Sequence, residues 1–148
     1  MDKPYDIVII GSGPAGMAAA IYAQRALMKA VVIEKTGVSG GQIINSLEMD
    51  NYPGLPGISG FQWGTAVREH AEKTGARFVT DEVSEIIDKG PLKEVVGKKD
   101  RYMTRTVLVA TGAVPRTLGV PGEKELTGKG VSYCATCDGA FFRNQTVV

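Results

Sequence analysis

Ile7-Val8-Ile9-Ile10-Gly11-Ser12-Gly13-Pro14-Ala15-Gly16 is the stretch whose reading decides the fold. Four β-branched residues in a row read as a strand buried on both faces, as in a parallel sheet covered by helices. The glycines that follow read as a G-x-G-x-x-G turn. Pro14 suits the first position of a helix, because its ring fixes φ and its missing N–H has no partner to lose there. Ala15, Ala18, Ala19, Ala20, Ala23 and Ala26 favour helix and keep it slim against a sheet. In such a turn Gly11 permits the bend, Gly13 lets backbone approach a pyrophosphate, and Gly16 lets helix and strand pack closely. The helix then presents its unpaired N–H groups and positive dipole end to the phosphates.

A second apolar run, Ala30-Val31-Val32-Ile33, ends in Glu34, eighteen residues past Gly16. That is close to the spacing of a carboxylate that accepts ribose hydroxyls. Strand, glycine turn, helix, strand and acid together read as a dinucleotide-binding βαβ unit. The competing reading is a βαβ unit without a ligand, in which Glu34 is a surface acid.

The rest of the composition narrows the class. The chain has 148 residues, enough for one domain with a real core, and is 43% hydrophobic and 22% charged, as ordinary globular proteins are. A formal charge of +1 gives no reason to expect nucleic acid or an anionic membrane as partner. Met1-Asp2-Lys3-Pro4 lacks the basic start and apolar core of a signal peptide, and the first apolar run is far too short to span a bilayer. The expected compartment is the cytoplasm, where the only two cysteines, Cys134 and Cys137, would not form a routine structural staple. His70 is the single histidine, which excludes a site needing several imidazoles.

After Glu34 the loop Thr36-Gly37-Val38-Ser39-Gly40-Gly41-Gln42 suits close backbone approach at Gly40-Gly41, and Gln42 and Asn51 supply amides. These amides read equally as loop groups facing water. Asn51-Tyr52-Pro53-Gly54-Leu55-Pro56-Gly57 reads as an ordered loop with two turns. The spacing predicts a helix from Ser59 to Thr74, with Ser59 as N-cap, Gly75 as terminator, and Phe61, Ala66, Val67 and Ala71 at helical intervals. On it Trp63 reads as packing and His70 as solvated. Arg77 to Thr104 reads as an antiparallel meander of short runs, Phe78-Val79, Val83 to Ile87, Lys93 to Val96 and Tyr102-Met103, with one wet face and solvated lysines. Thr106 to Gly112 repeats the opening theme: a buried strand runs into the small residues Ala110-Thr111-Gly112 at a carboxyl strand end, where such sheets place ligands. Glu123 to Lys129 reads as a polar connection. Thr146-Val147-Val148 reads as the opening of a strand with little to pair with, hence as a cut inside a larger protein.

Three readings compete for Cys134-Ala135-Thr136-Cys137. A zinc half-site lacks ligands, since structural zinc wants four and the chain offers two cysteines and one remote histidine. Two inert thiols sit poorly with a spacing of three in a nucleotide-binding chain. A redox dithiol fits, because two intervening residues allow a disulfide to open and close, and such motifs often activate one thiol. Asp138 then reads either as the carrier of the proton that exchange must give or take, or as a turn residue before Gly139. A dithiol beside a dinucleotide site points to disulfide exchange fed by a carrier of electron pairs, a role that flavin fills.

Taken together, GSGPAG at 11–16, GGQ at 40–42, the N-Y-P-G stretch from Asn51, ATGAVPR from Ala110 and CATCDG from Cys134 resemble the N-terminal half of the bacterial-type, low-molecular-weight thioredoxin reductases, over essentially the whole chain. The resemblance implies an α/β, Rossmann-like FAD-binding domain, a parallel sheet with an antiparallel β-meander, present here incompletely. It divides the chain into residues 1–117, the N-terminal segment of the FAD domain, and 118–148, the connection and the start of a nicotinamide-binding domain carrying the dithiol. It implies FAD as cofactor and NADPH as donor, the donor site lying outside this sequence, with thioredoxin or a similar small dithiol protein as substrate and a homodimer in the intact protein.

Residue by residue, the resemblance places Gly11, Ser12, Gly13, Pro14, Ala15 and Gly16 at the pyrophosphate turn and Glu34, with Lys35 beside it, at the adenosine ribose. Gly40, Gly41, Gln42 and Asn51 would lie towards the flavin, Val83 near the adenine, and Ala110, Thr111 and Gly112 along the cofactor. Cys137 would face the flavin, Cys134 would attack the substrate disulfide, and Asp138 would move the proton. No metal is implied. With the donor domain and the C-terminal ribityl contact absent from the sequence, the chain alone is not expected to be fully active. The alternatives are a flavin- or nucleotide-binding module whose cysteines form a redox switch, and a related reductase that serves a peroxiredoxin partner or is fed by ferredoxin.

Overall fold

The computed structural model describes residues 3–148, without the side chains of Thr136, Cys137 and Ala140. The chain divides into two compact units, Met1–Gly112 and Ala113–Val148.

The first unit opens as the sequence predicts. Strand β1 (Tyr5–Ile10) leads into helix α1 (Pro14–Arg25) with Pro14 in its first turn, and strand β2 (Ala30–Glu34) follows. β1 and β2 pair in parallel. A short 3-10 turn, Gly41–Asn45, interrupts the loop that follows, a stretch that reads in sequence as irregular. Helix α2 (Gly60–Lys73) is capped by Ser59, whose hydroxyl accepts the Gln62 N–H while the Gln62 side chain accepts the Ser59 N–H.

Only part of the expected apolar stripe of α2 faces inward. Phe61 is 59% exposed and Ala66 is also outside; the buried positions are Gly60, Trp63, Gly64 and Ala71. The cause is steric. A Cβ at Gly60 would stand 1.7 Å from the Ile43 carbonyl oxygen, and one at Gly64 would stand 2.5 Å from that of Ser39. The helix therefore lies with bare backbone against the 39–44 loop, and this sets its rotation. Trp63 packs with Met17 and Met49 as expected, and its indole N–H has no partner among the described residues. His70 is exposed, also as expected.

Strand β3 (Phe78–Thr80) corrects the meander reading. It pairs in parallel with β2 at the sheet edge. α2 carries the chain back along the sheet, so the next strand must run in the same direction as β2. The meander proper is β4 (Val83–Lys89), β5 (Leu92–Gly97) and β6 (Arg101–Val109), and the sheet order is β3-β2-β1-β6-β5-β4. Two runs that read as separate in the sequence, Tyr102-Met103 and Thr106 to Val109, are one strand. β6 is antiparallel to β5 through Arg101–Thr104 and parallel to β1 through Thr104–Val109.

Both sheet faces are covered. Ile9, Val32, Ala20 and Ala71 form the core between sheet and helices. Val8, Ile10, Val31 and Ile33 form the other core with Val95 and Tyr102. β5 lies two strands from β1 in the hydrogen-bonding order, and its Val95 shares that cluster with Tyr102 of the intervening β6. Its lysines meet acids on the wet side: Lys89 with Glu94, Lys93 with Asp88 and Lys98 with Glu82.

The second unit holds two short helices, α3 (Glu123–Leu126) and α4 (Ala135–Asp138), with a 3-10 turn over Gly139–Phe142. Residues 146–148, expected to open a strand, have no regular structure; nothing in the described residues offers them a ladder. None of the described helices is long and apolar enough to cross a membrane.

Candidate functional site

The glycine turn is built by two contacts that forbid side chains. Gly11 has φ +100°, and a Cβ there would lie 2.4 Å from the Ala110 carbonyl oxygen; one on Gly16 would lie 1.9 Å from the Gly11 oxygen. The Ala110 N–H bonds the Ile10 carbonyl at 2.9 Å, locking the end of β6 beside the end of β1. Gly11 and Gly16 are therefore needed by the fold itself. Gly13 is different. It has φ −72°, and the nearest atom to a Cβ there is Gly41 Cα at 3.9 Å, an ordinary contact. The chain's own packing therefore does not call for glycine at this position.

Gly13 and Gly41 thus face each other backbone to backbone, and the Gly40 N–H bonds the Ser12 carbonyl at 2.9 Å. The turn after β1 and the Gly40-Gly41 pair, thirty residues on, form one bare backbone surface at the head of α1. No side chain caps that helix, and its first turn holds no acid. Its N-terminal N–H groups and dipole favour an anionic group there.

Glu34 closes one side. Its Oε2 accepts the Ser12 N–H at 2.9 Å and the Ser12 hydroxyl at 2.7 Å; its Oε1 accepts the Thr36 N–H at 3.1 Å and is within 3.3 Å of the Thr36 hydroxyl. Burial works against ionisation of this carboxyl, but the four donors together outweigh it and hold the group below the ordinary carboxylate range. Ser12 is wholly buried and Thr36 is exposed.

Among the other residues singled out from sequence, Pro14 and Ala15 are exposed on the first turn of α1, Gln42 is exposed in the 3-10 turn, and Lys35, Asn51, Thr111 and Gly112 are exposed in loops. Val83 packs into the core beside Val8 and Ile33. It lies two residues past Asp81, whose N–H bonds the Glu34 carbonyl at 3.0 Å, so it stays close in the chain to the end of β2.

Asp81 is a residue that the sequence did not reveal. It is 3% exposed and accepts the N–H groups of Glu82, Lys99 and Asp100 and the Tyr102 hydroxyl, at 2.8, 3.0, 3.1 and 3.0 Å. Burial alone would raise its pKa, but these donors win and lower it. Tyr102, buried and facing that carboxylate, is pushed up to about 12. Asp81 thereby pins the β5–β6 turn to the loop between β3 and β4. An Asp in a polar stretch carries no sequence signal for this; its donors lie up to 21 residues away.

In the second unit Cys134 is disulfide-bonded and precedes α4. The Cys137 side chain lies outside the described residues. Around Cys134 the chain is held twice. The Ser132 hydroxyl donates to Asp138 Oδ2 at 2.5 Å and accepts the Cys134 N–H at 3.0 Å. The Tyr133 hydroxyl donates to Glu123, which is 5% exposed and also accepts the Leu118 and Gly119 N–H groups at 2.8 and 2.7 Å. The Tyr133 bond, then the backbone donors, lower the Glu123 pKa, and the same bond raises that of Tyr133. Ser132, Tyr133 and Glu123 had not been singled out from sequence; a Ser two residues before a C-x-x-C is the one local sign available. Among the described residues no group of three or more His, Cys, Asp or Glu could hold a metal ion.

Comparison with known proteins agrees with this geometry. The family model described as pyridine nucleotide-disulphide oxidoreductase matches residues 5–148. The thioredoxin reductase of Bacillus subtilis (strain 168) is 46% identical over 147 residues, which cover 99% of this chain and 46% of the relative. The crystal structure of thioredoxin reductase from Streptococcus pyogenes MGAS5005 superposes with a TM-score of 0.83 at 46% identity, covering 97% of this chain and 46% of that one. A ferredoxin-flavin thioredoxin reductase from Clostridium acetobutylicum superposes with a TM-score of 0.72 at 30% identity, covering 95% of this chain and 48% of that one. The chain spans about half the length of the relatives it matches. With the family model matched from residue 5 to residue 148, the chain belongs to the pyridine nucleotide-disulphide oxidoreductase family, and the relatives named above are thioredoxin reductases.

Proposed function

We propose that this chain is the FAD-binding and dithiol-bearing part of a thioredoxin reductase. The observation that carries the reading is the apposition of Gly13 and Gly41 beside an uncapped helix start and an ionised Glu34. A bare backbone cradle for phosphates next to a carboxylate for ribose hydroxyls is the donor and acceptor set of a dinucleotide, so the residues present fit FAD. In this reading Gly11 to Gly16 hold the pyrophosphate and Glu34 the ribose, with Lys35 beside it. Gly40, Gly41, Gln42, Asn51, Ala110, Thr111 and Gly112 line the remainder, and Val83 lies near the adenine. Residues 1–117 form the FAD segment and 118–148 carry the dithiol.

Bound FAD supplies a carrier that takes an electron pair from a nicotinamide and delivers it to a disulfide. The chain's own work is then thiol chemistry. Cys134 loses a proton, and its thiolate attacks the substrate disulfide, forming a mixed disulfide and releasing one substrate thiol. Cys137 attacks the mixed bond, releasing the second thiol and leaving a Cys134–Cys137 disulfide. Two protons leave the cysteines and two arrive on the substrate, with Asp138 as carrier. The substrate is thioredoxin or a similar small dithiol protein, the donor NADPH, the assembly a homodimer and the compartment the cytoplasm. The higher identity to plain thioredoxin reductases than to the ferredoxin-flavin enzyme, 46% against 30%, favours the nicotinamide-fed reading.

The test has two arms. Purified chain titrated with FAD should bind it, and reduced chain should convert oxidised thioredoxin to its dithiol form. A chain that binds neither FAD nor ADP removes the first half of the proposal; one that leaves oxidised thioredoxin untouched removes the second.

A further inference from the structure

We infer that Ser132 is a positioning residue for the dithiol, its hydroxyl joining the Asp138 carboxylate to the backbone of Cys134; this rests on the proton-carrying role given to Asp138 above. A serine hydroxyl has one proton to give and two lone pairs to receive with. Here the proton goes to Asp138 Oδ2 at 2.5 Å and one lone pair takes the Cys134 N–H at 3.0 Å. An O–H to a carboxylate at this length is a charge-assisted bond, stronger than a neutral one. The same oxygen thus fixes both the group that moves the proton and the backbone that carries the attacking sulfur.

The hydroxyl acts on a segment that is already anchored. Tyr133, between Ser132 and Cys134, is tied by its own hydroxyl to Glu123 at the start of α3, and Glu123 is held by the Leu118 and Gly119 amides. The backbone at 132–134 is therefore set by α3, while the Ser132 side chain sets Asp138. Exchange between a dithiol and a disulfide takes two protons from the cysteines and puts two on the substrate sulfurs, and a carboxylate beside the dithiol speeds that transfer when it is held within reach. A carboxylate free to rotate would spend much of its time out of reach. Removing the Ser132 hydroxyl should leave the fold and the thiols but loosen the carrier.

The experiment follows transfer from the reduced 148-residue chain to oxidised thioredoxin by acid quench and alkylation. Circular dichroism confirms that each variant is folded. Ser132→Ala should slow transfer about tenfold, the worth of one net hydrogen bond. Ser132→Thr, which keeps the hydroxyl, should stay within about twofold of the unsubstituted chain. In an Asp138→Asn background, Ser132→Ala should cost nothing more, because the two act as one unit. Overturning results are equal slowing by Ala and Thr, or additive losses in the double variant, either of which makes Ser132 a merely structural residue. Asp138→Asn at full speed would instead remove the proton-carrying role itself, and the inference with it, while leaving FAD binding as it was.

Discussion

Ser12 donates both its backbone N–H and its hydroxyl to a single oxygen of Glu34, at 2.9 and 2.7 Å. The carboxylate at the end of β2 is thereby tied to the turn after β1 before any ligand arrives. The Thr36 N–H holds the other oxygen, and the single proton of the Thr36 hydroxyl is divided between that oxygen, at 3.3 Å, and the Val38 carbonyl, at 3.1 Å. The lone pair that faces this hydroxyl is the one a ribose hydroxyl would take. The Thr36 hydroxyl, at 3.3 Å and exposed, is the weakest holder.

Glu34→Gln should therefore weaken binding of ADP or FAD by roughly tenfold to a hundredfold, the range for a hydrogen bond to a charged group. Thr36→Ala should leave affinity unchanged or raise it. Isothermal calorimetry with ADP separates the two. Equal losses from both substitutions would mean that Glu34 does not meet the ribose.

The glycines of the turn should part company on substitution. Gly16→Ala drives a Cβ to 1.9 Å from a backbone oxygen, so it should destabilise by about 3 kcal/mol or more, the upper end of overpacking costs. Gly13→Ala finds room and should lose only about 1 kcal/mol, for a poorer helix cap. Yet Gly13→Ala should abolish most flavin binding. Thermal melts and flavin absorbance of the two purified variants check this. Gly13→Ala with full flavin content would displace the pyrophosphate from this turn.

The Asp81 site makes the fold sensitive to acid. Its pKa is lower folded than unfolded, so its contribution is fully present above the unfolded value, close to 3.8, and is lost as pH falls through the folded value. Asp81→Asn should remove that pH dependence and lower the melting temperature at neutral pH by several degrees, because an amide cannot accept from every donor gathered there. Tyr102→Phe, which leaves the three N–H donors in place, should cost less. Melting curves between pH 3 and 7 give both answers; an unchanged acid limb in Asp81→Asn would assign it to other carboxylates.

On the proposed function, the two cysteines should have unequal roles. Cys137→Ser should trap a covalent complex between Cys134 and a thioredoxin that lacks its resolving cysteine, and Cys134→Ser should trap none. Non-reducing electrophoresis reads the outcome. Trapping through Cys137 alone would reverse the roles, and equal trapping through both would make the pair two accessible thiols.

What the sequence disclosed was what is local. β1, α1 and β2 were readable because β-branched runs, Pro14 and the alanines each act within a few residues. Ser59 announced its helix for the same reason. The partner of β3 was not readable, since three residues have no period and their direction is set by α2. Nor was the outward turn of Phe61, which follows from Gly60 and Gly64 meeting distant carbonyls. For the candidate site, the glycines and Glu34 were visible as a spacing. Their division into residues the fold needs, Gly11 and Gly16, and one it does not, Gly13, required the geometry. Asp81 and Glu123 were silent because a polar residue looks the same in sequence whether it faces water or gathers buried donors, and Ser132 showed only its place two residues before the C-x-x-C.

β6 is the neighbour of β1 on its inner side, and Thr104 reaches back to the Tyr5 carbonyl across 99 residues of chain. Until β6 emerges during synthesis, β1 is an open edge of Val and Ile with unpaired N–H and C=O groups, the kind of surface that recruits other chains. So distant a pairing is also slow to find. A chain truncated anywhere before Arg101 and released should thus be a strong client for chaperones and aggregate without them, while one truncated just past Val109 should stay in solution, as sedimentation of the two would show.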